Sequence, residues 1–543
     1  MEGIIVLVVI VLMYLIISNY YRMQWEKQNR KRIKESFGRK PEHKEKESKR
    51  IRFYLESQPQ ETDVDDITWN DLSMDEVFWR VNNCASSAGE EILYDTMHRT
   101  KKSTEELEEL EKSVKYFSEQ EEERNQILTY LLQMGKKEAS YYIPPYMTTI
   151  EENRLGCTII LRILQILPIV FLFGFVIFRD LTFIGLFGGN ILVNVVIYVL
   201  MKMRYETNLS MLGTLCSILN VAKKLDKLEC EEYFCRKLKE PLQRLRRTGG
   251  MIEKLQSLQT TMLSSELGVL GDYILGATLW QLTAYNKSIG MLIRYRVEYM
   301  KLYETVGAID MAISIASFRI SVPFYATPKF WEKNEVELEE AYHPVIEQPV
   351  CNSMKWERNC IITGSNASGK STFIKAVAVN AILAQSIHTC MARNVKMPHV
   401  DVITSMAVQD DIMSGDSYFI KEIKYLKRML EHLNSKRGTI CIIDEILRGT
   451  NTKERIAASR AIMEYLSGEN CLVMVASHDQ ELTVLLQDMY DNYHFTEKIG
   501  QQDISFDYKL YSGPATSNNA IRLLEYTGFP EKIIADAKVN AEI

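Results

Sequence analysis

With 543 residues, 25% charged and 46% hydrophobic, the chain is long enough for several domains, and its net charge of −6 excludes the overall cationic footprint of a dedicated nucleic-acid binder. Its ten cysteines are scattered without paired C-x-x-C spacing, so neither a zinc site nor a disulfide framework is indicated and a reducing cytosol fits. In chain order, residues 1–21 read as an N-terminal transmembrane anchor. Gly3 to Ile17 is an unbroken apolar run, short for a span of about 20 residues but extendable by Ser18 to Tyr21 at the interface. A cleavable signal fits less well, because no basic segment precedes the run and no small-x-small site clearly follows it.

Residues 22–69 form a charged juxtamembrane linker in which Arg22 to Arg52 mixes basic residues with Glu26, Glu35, Glu42, Glu45 and Glu47, a composition suited to touching anionic lipid. Residues 70–155 and 205–334 show helical spacing, with Ser103 to Gln126 and Val221 to Leu258 rich in Leu, Glu and Lys. Between them, residues 156–204 read as a transmembrane hairpin: Leu164 to Phe178 and Leu181 to Met201 are apolar blocks separated by Arg179-Asp180. Arg154, Arg162, Lys202 and Arg204 flank the hairpin and Arg22 to Lys40 follow the first span, which puts these flanks and the bulk of the chain on the cytoplasmic side of a multi-pass cell-membrane protein.

Residues 335–543 carry the chemistry. Ile361-Ile-Thr-Gly-Ser-Asn-Ala-Ser-Gly-Lys-Ser-Thr372 joins a short apolar strand, Cys360 to Thr363, to a helix through the spacing G-x-x-x-x-G-K-[ST]. Gly364 and Gly369 let backbone N–H groups turn inward around phosphates, Lys370 reaches the β- and γ-phosphates, and Ser371 is a Mg²⁺ ligand at a helix start, with Asn366 and Thr372 beside them. A second buried strand, Thr439 to Asp444, ends in Asp444 for the metal and Glu445 to polarise an attacking water. A third, Cys471 to Ala476, is followed by Ser477-His478-Asp479, which places His478 at a strand C-terminus as a γ-phosphate sensor.

These elements, with Ala341-Tyr-His-Pro-Val-Ile-Glu347 before them, Asp410-Asp-Ile-Met-Ser-Gly-Asp-Ser-Tyr-Phe-Ile-Lys-Glu422 between them and Tyr508 to Ile521 after them, resemble in order and spacing the ATPase domain of the MutS mismatch-repair family. Asp71 to His98 resembles the start of the MutS core, or lever, and Asp310 to Phe318 the segment leading from lever to ATPase. The resemblance implies an α/β P-loop, ABC-like ATPase domain preceded by an all-α core/lever domain, here interrupted by transmembrane helices. It implies ATP and Mg²⁺ as cofactors, DNA as partner, and a homodimer in which Ser417 and its signature region to Glu422 complete the partner's nucleotide site in trans, with Asp410 also at the nucleotide. Ser417 and Glu422 read equally as an ordinary helix start, and a helix N-terminus is itself an anion site.

Departures from the family are as informative. The core-like region starts near residue 70, leaving no room in this sequence for the family's N-terminal mismatch reader, and no β-rich clamp insert is visible between 205 and 310. The cluster Arg244-Leu-Arg-Arg247 reads either as a phosphate contact or as an exposed loop patch. The expected function is a membrane-anchored MutS-type ATPase that binds DNA; an ABC-like membrane machine that does not act on DNA is the alternative. Intact Asp444, Glu445 and His478 argue against a scaffold that binds ATP without turnover.

Overall fold

The computed structural model describes residues 31–42 and 49–541, apart from 157, 229–232, 235, 246–275, 366–367, 407–417, 434–436, 500–503 and 516–526, together with scattered positions from 13 to 29. The apolar run Gly3–Ile17 therefore lies almost entirely outside the described residues, as do Arg246 and Arg247 of the basic cluster. Up to Ile320 the described chain is helical, and its principal helices are α1 (Arg52–Ser57), α2 (Asp66–Asp71), α3 (Met74–Val81), α4 (Ser87–Met97), α5 (Thr104–Glu119), α6 (Glu121–Met134), α7 (Ile143–Thr148), α8 (Thr158–Phe178), α9 (Thr182–Lys227), α10 (Trp280–Arg294) and α11 (Arg296–Ile320). Among the described residues no strand precedes Lys329.

Local chemistry sets several of these boundaries. The α5 helix opens on a reciprocal capping box between Ser103 and Glu106. The helical run expected over Ser103 to Gln126 is two helices, broken at Gln120, because Glu121, Glu122 and Glu123 crowd negative charge that is favourable in the first turn of a new helix and unfavourable at the end of an old one. At the head of α4, buried Asp310 of α11 accepts from the backbone N–H groups of Ala85 (3.0 Å) and Ser86 (2.8 Å), so a carboxylate from 224 residues away in sequence holds this turn. Gly89 is required there, since a Cβ would stand 2.3 Å from the Asp310 carboxylate.

Helices α8 and α9 meet at a turn in which Arg179 is left-handed and Asp180 Oδ1 accepts from Thr182 N at 3.0 Å. Thr158–Phe178 and Thr182–Tyr205 are long and apolar enough to cross a bilayer, with mean hydropathies of 2.5 and 2.1, and they are almost wholly uncovered by the rest of the chain. Buried Asn194 ties the pair together by donating to the carbonyl oxygens of Leu164 (3.1 Å) and Ala277 (2.9 Å). The expected division at 204–205 falls inside α9, which runs for 46 residues without interruption. Composition changes there from apolar to amphipathic, but no proline interrupts the backbone, so the helix continues through Asn208 and Gly213 and buries Leu215, Leu219, Ala222 and Leu225 in the helical region.

From Lys329 the chain is mixed α/β. A small sheet has the order β1 (Lys329–Phe330), β5 (Asn394–Met397), β2 (Val336–Ala341), β3 (Asn352–Trp356). A six-stranded sheet has the order β10 (Ile504–Ser512), β9 (Asp491–Ile499), β4 (Cys360–Thr363), β8 (Cys471–Ala476), β7 (Thr439–Asp444), β6 (Asp401–Ser405), in which only β10 is antiparallel to its neighbour. The helices named here are α12 (Lys370–Ile387), α13 (Tyr418–His432), α14 (Thr452–Ser467), α15 (Gln480–Leu485) and α16 (Glu531–Ala541). Strands β4 and β8 are buried at every residue, as continuous Val/Ile/Cys/Met runs require when both faces of a parallel sheet are covered.

The helical region docks on this sheet through buried polar contacts. Asp71 of α2 accepts from Thr404 Oγ1 (2.7 Å) and Met406 N (3.0 Å) at the end of β6, and Asp65 pairs with Arg428 of α13. Burial pushes the Asp71 carboxyl up, against those same hydrogen bonds. Arg319, at the end of α11, grips Glu111 of α5 with both guanidinium arms (2.8 and 2.6 Å) and donates to the carbonyl oxygen of His388, the residue that follows α12. Burial alone would raise the Glu111 carboxyl, but hydrogen bonds from His388 and Arg319 hold it down to about 2.

Candidate functional site

Because β4, β7 and β8 are adjacent and parallel, their carboxyl ends fall on one sheet edge, and the segments leaving those ends meet. From β4 the chain passes through Gly364, with φ +140°, and Gly369, with φ +102°, into α12. Both glycines are dictated by close approach as well as by backbone conformation. A Cβ on Gly364 would stand 2.7 Å from the Phe495 carbonyl oxygen, and one on Gly369 would stand 3.1 Å from the Tyr508 ring. Ser368 Oγ closes the turn by donating to Ser365 O at 2.7 Å, and Ser365 Oγ donates to Glu497 of β9 at 2.8 Å.

Lys370 folds back over this loop, donating to the carbonyl oxygens of Ser365 (2.8 Å) and Gly364. Burial lowers its ammonium to about 8, while Asp444, Glu445 and Glu497 hold it up. Ser371, in the first turn of α12, donates from Oγ to Asp444 Oδ2 across a gap of 2.7 Å. Thr372 is exposed at the same helix start. Asn366, Asp410 and Ser417 lie outside the described residues. Glu422, in α13, is buried and accepts from Gly449 N at 3.4 Å, which packs the start of that helix against the loop leaving β7.

Glu445 is the first residue past β7 and takes a left-handed backbone, φ +64°, as does Leu447 at +55°. Two such non-glycine residues in one short loop mark stored strain, on the order of 1–3 kcal/mol each. The strained turn directs the Glu445 carboxylate between His478 Nε2, at 3.1 Å, and Arg448 Nε. Burial raises Glu445, but His478 and Arg448 outweigh it and hold the carboxyl below its ordinary value. Arg455 of α14 makes a two-armed contact with Asp479, at 2.9 and 2.6 Å. Glu445, Arg448, Arg455, Ser477, His478 and Asp479 line a cleft of about 310 Å³.

The fold thus gathers Gly364, Gly369, Lys370, Ser371, Asp444, Glu445 and His478 at one edge. Sequence reasoning assigned no individual role to Arg448, Arg455, Asp479, Glu497 or Tyr508, although Asp479 and Tyr508 fall within its motifs. Arg448 was within reach of it, three residues beyond Glu445 in the same loop. Asp479 adjoins His478, but its pairing with Arg455 is a tertiary contact. Tyr508 carried no local signal of a contact with Gly369; it reaches that glycine because β10 shifts register between Phe506 and Leu510 and puts Tyr508 at φ +54°.

Residues 360–542 match the family model described as MutS domain V. Among curated proteins, the chain is 30% identical over 258 residues to the DNA mismatch repair protein MutS of Lysinibacillus sphaericus, covering 44% of this chain and 29% of that protein. It is 30% identical over 260 residues to the MutS of Aquifex pyrophilus, with 45% and 30% covered. It is likewise 30% identical over 257 residues to the human MutS protein homolog 4, with 44% and 27% covered. The chain therefore spans under a third of the length of these relatives.

The Gly364 cradle makes a stability prediction. Gly364→Ala meets both a disfavoured backbone and the Phe495 carbonyl, whereas Gly513→Ala, at φ +91° with nothing within 4 Å, meets only the backbone. The first should cost about 2–3 kcal/mol and the second about 1 kcal/mol in denaturant melts. Equal losses would show that the cradle is not tightly closed.

Proposed function

We propose that this chain is a membrane-anchored, MutS-type ATPase, acting as a homodimer with composite nucleotide sites and coupling ATP turnover to DNA. The observation that supports this most is the juxtaposition of the Gly364–Ser371 loop with Asp444, Glu445 and His478 at one end of a parallel sheet, in a segment similar to MutS domain V. The cradle fits a triphosphate: its two glycines leave no room for a Cβ, and Lys370 sits above them. Ser371 and Asp444 present hard oxygen donors 2.7 Å apart, the donor chemistry Mg²⁺ prefers, and the ion when bound would offset phosphate charge.

The chain's own residues divide the remaining work. Lys370 exchanges its loop carbonyl partners for phosphate oxygens, and the backbone amides of the loop, Asn366 and Thr372 with them, orient the nucleotide. Glu445 positions and polarises the attacking water, and His478, hydrogen-bonded to it, senses the γ-phosphate. Ser417 and the residues to Glu422 act on the partner's nucleotide, and Asp410 serves as a further nucleotide-binding residue. Helices α8 and α9, with the N-terminal run, anchor the chain in the cell membrane and leave the sheet region in the cytoplasm.

DNA comes to this reading from the names of the relatives, two of which are DNA mismatch repair proteins. The uncovered α8–α9 pair favours a second reading, an ABC-like membrane machine in which ATP-driven assembly is passed through helices to the bilayer without DNA.

Three outcomes check these readings. Glu445→Gln should bind ATP yet turn it over about a hundredfold more slowly, the scale of losing a water-positioning group, while Lys370→Ala should lose ATP binding; near-normal turnover by the glutamine variant would sink the mechanism. A cysteine placed at Asp180 should react with an impermeant thiol reagent outside intact cells and one at Lys453 should not; equal labelling would remove the membrane reading. Affinity for duplex DNA should fall steeply with salt if phosphates are contacted, and a flat dependence would leave the DNA-free machine standing.

A further inference from the structure

The α12 helix begins at Lys370 and runs for 18 residues, about 27 Å, before ending at Ile387. It is buried along most of its length and behaves as a rod with the Gly364–Ser371 loop at one end. The other end is held by the helical region. The last carbonyls of a helix have no partners of their own and carry the negative end of its dipole. Here two cations from outside the sheet region supply what is missing. Lys102, just before α5, donates from Nζ to Ser386 O at 2.9 Å, and Arg319, at the end of α11, donates from Nη2 to His388 O at 2.9 Å.

Arg319 is only 4% exposed and is over-determined. Its Nε donates to Thr389 Oγ1 at 3.0 Å, and Glu111 takes the remaining arms while also meeting His388 Nδ1 at 3.2 Å. His388 itself is left-handed, φ +52°, so α12 stops where these groups meet it. A structural helix end needs only satisfied carbonyls, which water or a local cap supplies. This end is instead satisfied by side chains from two separate parts of the helical region, the approach to α5 and the end of α11, so its contacts depend on where both of them lie.

We propose that Lys102 and Arg319 are positioning residues for the nucleotide site: by capping the far end of α12 they set the Gly364–Ser371 loop relative to the sheet, and they make nucleotide occupancy and the arrangement of α5 and α11 mutually dependent. By linkage, whatever α5 and α11 gain from an occupied loop, the loop gains from their docked arrangement. The proposal rests on the ATP-binding reading given above.

The test uses the full-length protein in detergent or nanodiscs, with Mg²⁺ and a non-hydrolysable ATP analogue. Arg319→Lys keeps the charge but cannot reach Glu111, Thr389 and His388 together; Lys102→Met keeps the stem and loses the donor. If both fold, as thermal melting will show, nucleotide should bind about tenfold more weakly, within the usual range of coupling, with KM raised and kcat within about twofold. In the wild type, nucleotide should slow amide exchange in Thr104–Glu119, and in the variants that response should be lost. Variants that bind as tightly as wild type, or a wild type whose exchange in this helix ignores bound nucleotide, overturn the proposal. Should Arg319→Lys fail to fold, Lys102→Met decides alone. If the wild type binds no more nucleotide than Lys370→Ala, the ATP-binding reading falls, and this one with it.

Discussion

Three parallel strands that stop at the same edge govern everything else in this structure. Strands β4, β8 and β7 are almost wholly apolar because both faces are covered, so charge is placed only at or beyond their ends. Their side-by-side pairing then brings those ends together. Residues separated by up to 114 positions, from Gly364 to His478, are neighbours for no other reason. The same edge also settles the electrostatics: Lys370 is stripped of water by burial yet faced by carboxylates, and Glu445 is stripped of water yet faced by the Arg448 guanidinium and hydrogen-bonded to the His478 ring. Opposite charges at close range in a partly dry cleft keep both groups ionised and leave their partners exchangeable for an anionic ligand.

The helical region is part of the same solid. One continuous apolar cluster runs from Trp69, Phe78 and Leu93 through Val306 and Phe318 to Ile374, Leu383 and Ile440, so the sheet and the helices share a core. Around that core the contacts are polar and specific: Asp71 at β6, Asp65 at α13, Lys102 and Arg319 at α12. Apolar packing tolerates sliding between similar arrangements, whereas a hydrogen-bonded buried charge accepts few positions before its desolvation is uncompensated. Such contacts give a docked region discrete settings, which is what coupling between distant parts requires.

Helix α9 extends the same logic outward. Its 46 residues span about 70 Å as one rod, with the first part uncovered and apolar and the last part buried against the helical region. Tyr299 of α11 donates to the Leu215 carbonyl of α9, and Lys224 of α9 reaches Gln133 of α6 at 2.7 Å. The uncovered apolar part of the rod is long enough to cross a bilayer, and the same backbone continues into the buried part that packs on α11, whose far end carries Arg319.

Much of this was legible in the chain, because the signals are local. The spacing of Gly364, Gly369, Lys370 and Ser371 marks a strand-loop-helix turn, apolar runs ending in Asp444-Glu445 and Ser477-His478 mark buried strands with polar ends, and the density of Val, Ile, Leu and Phe from Leu164 to Met201 marks two uncovered helices. Pattern falters where the cause lies elsewhere. The break at Gln120 depends on which acid run the helix dipole accepts, and the continuation of α9 past Met201 depends on the absence of proline and on burial of its later residues rather than on uniform hydrophobicity. Tertiary structure alone decided what meets across distance: Asp310 under the head of α4, Arg455 with Asp479, Tyr508 over Gly369, and the grip of Lys102, Glu111 and Arg319 on the end of α12. The physical reason is one of range. Periodicity, caps and loop spacing are set by interactions over a few residues, and so they are written in consecutive letters, while a buried charge is matched by whatever the folded chain brings within 3 Å, at a separation no local pattern records.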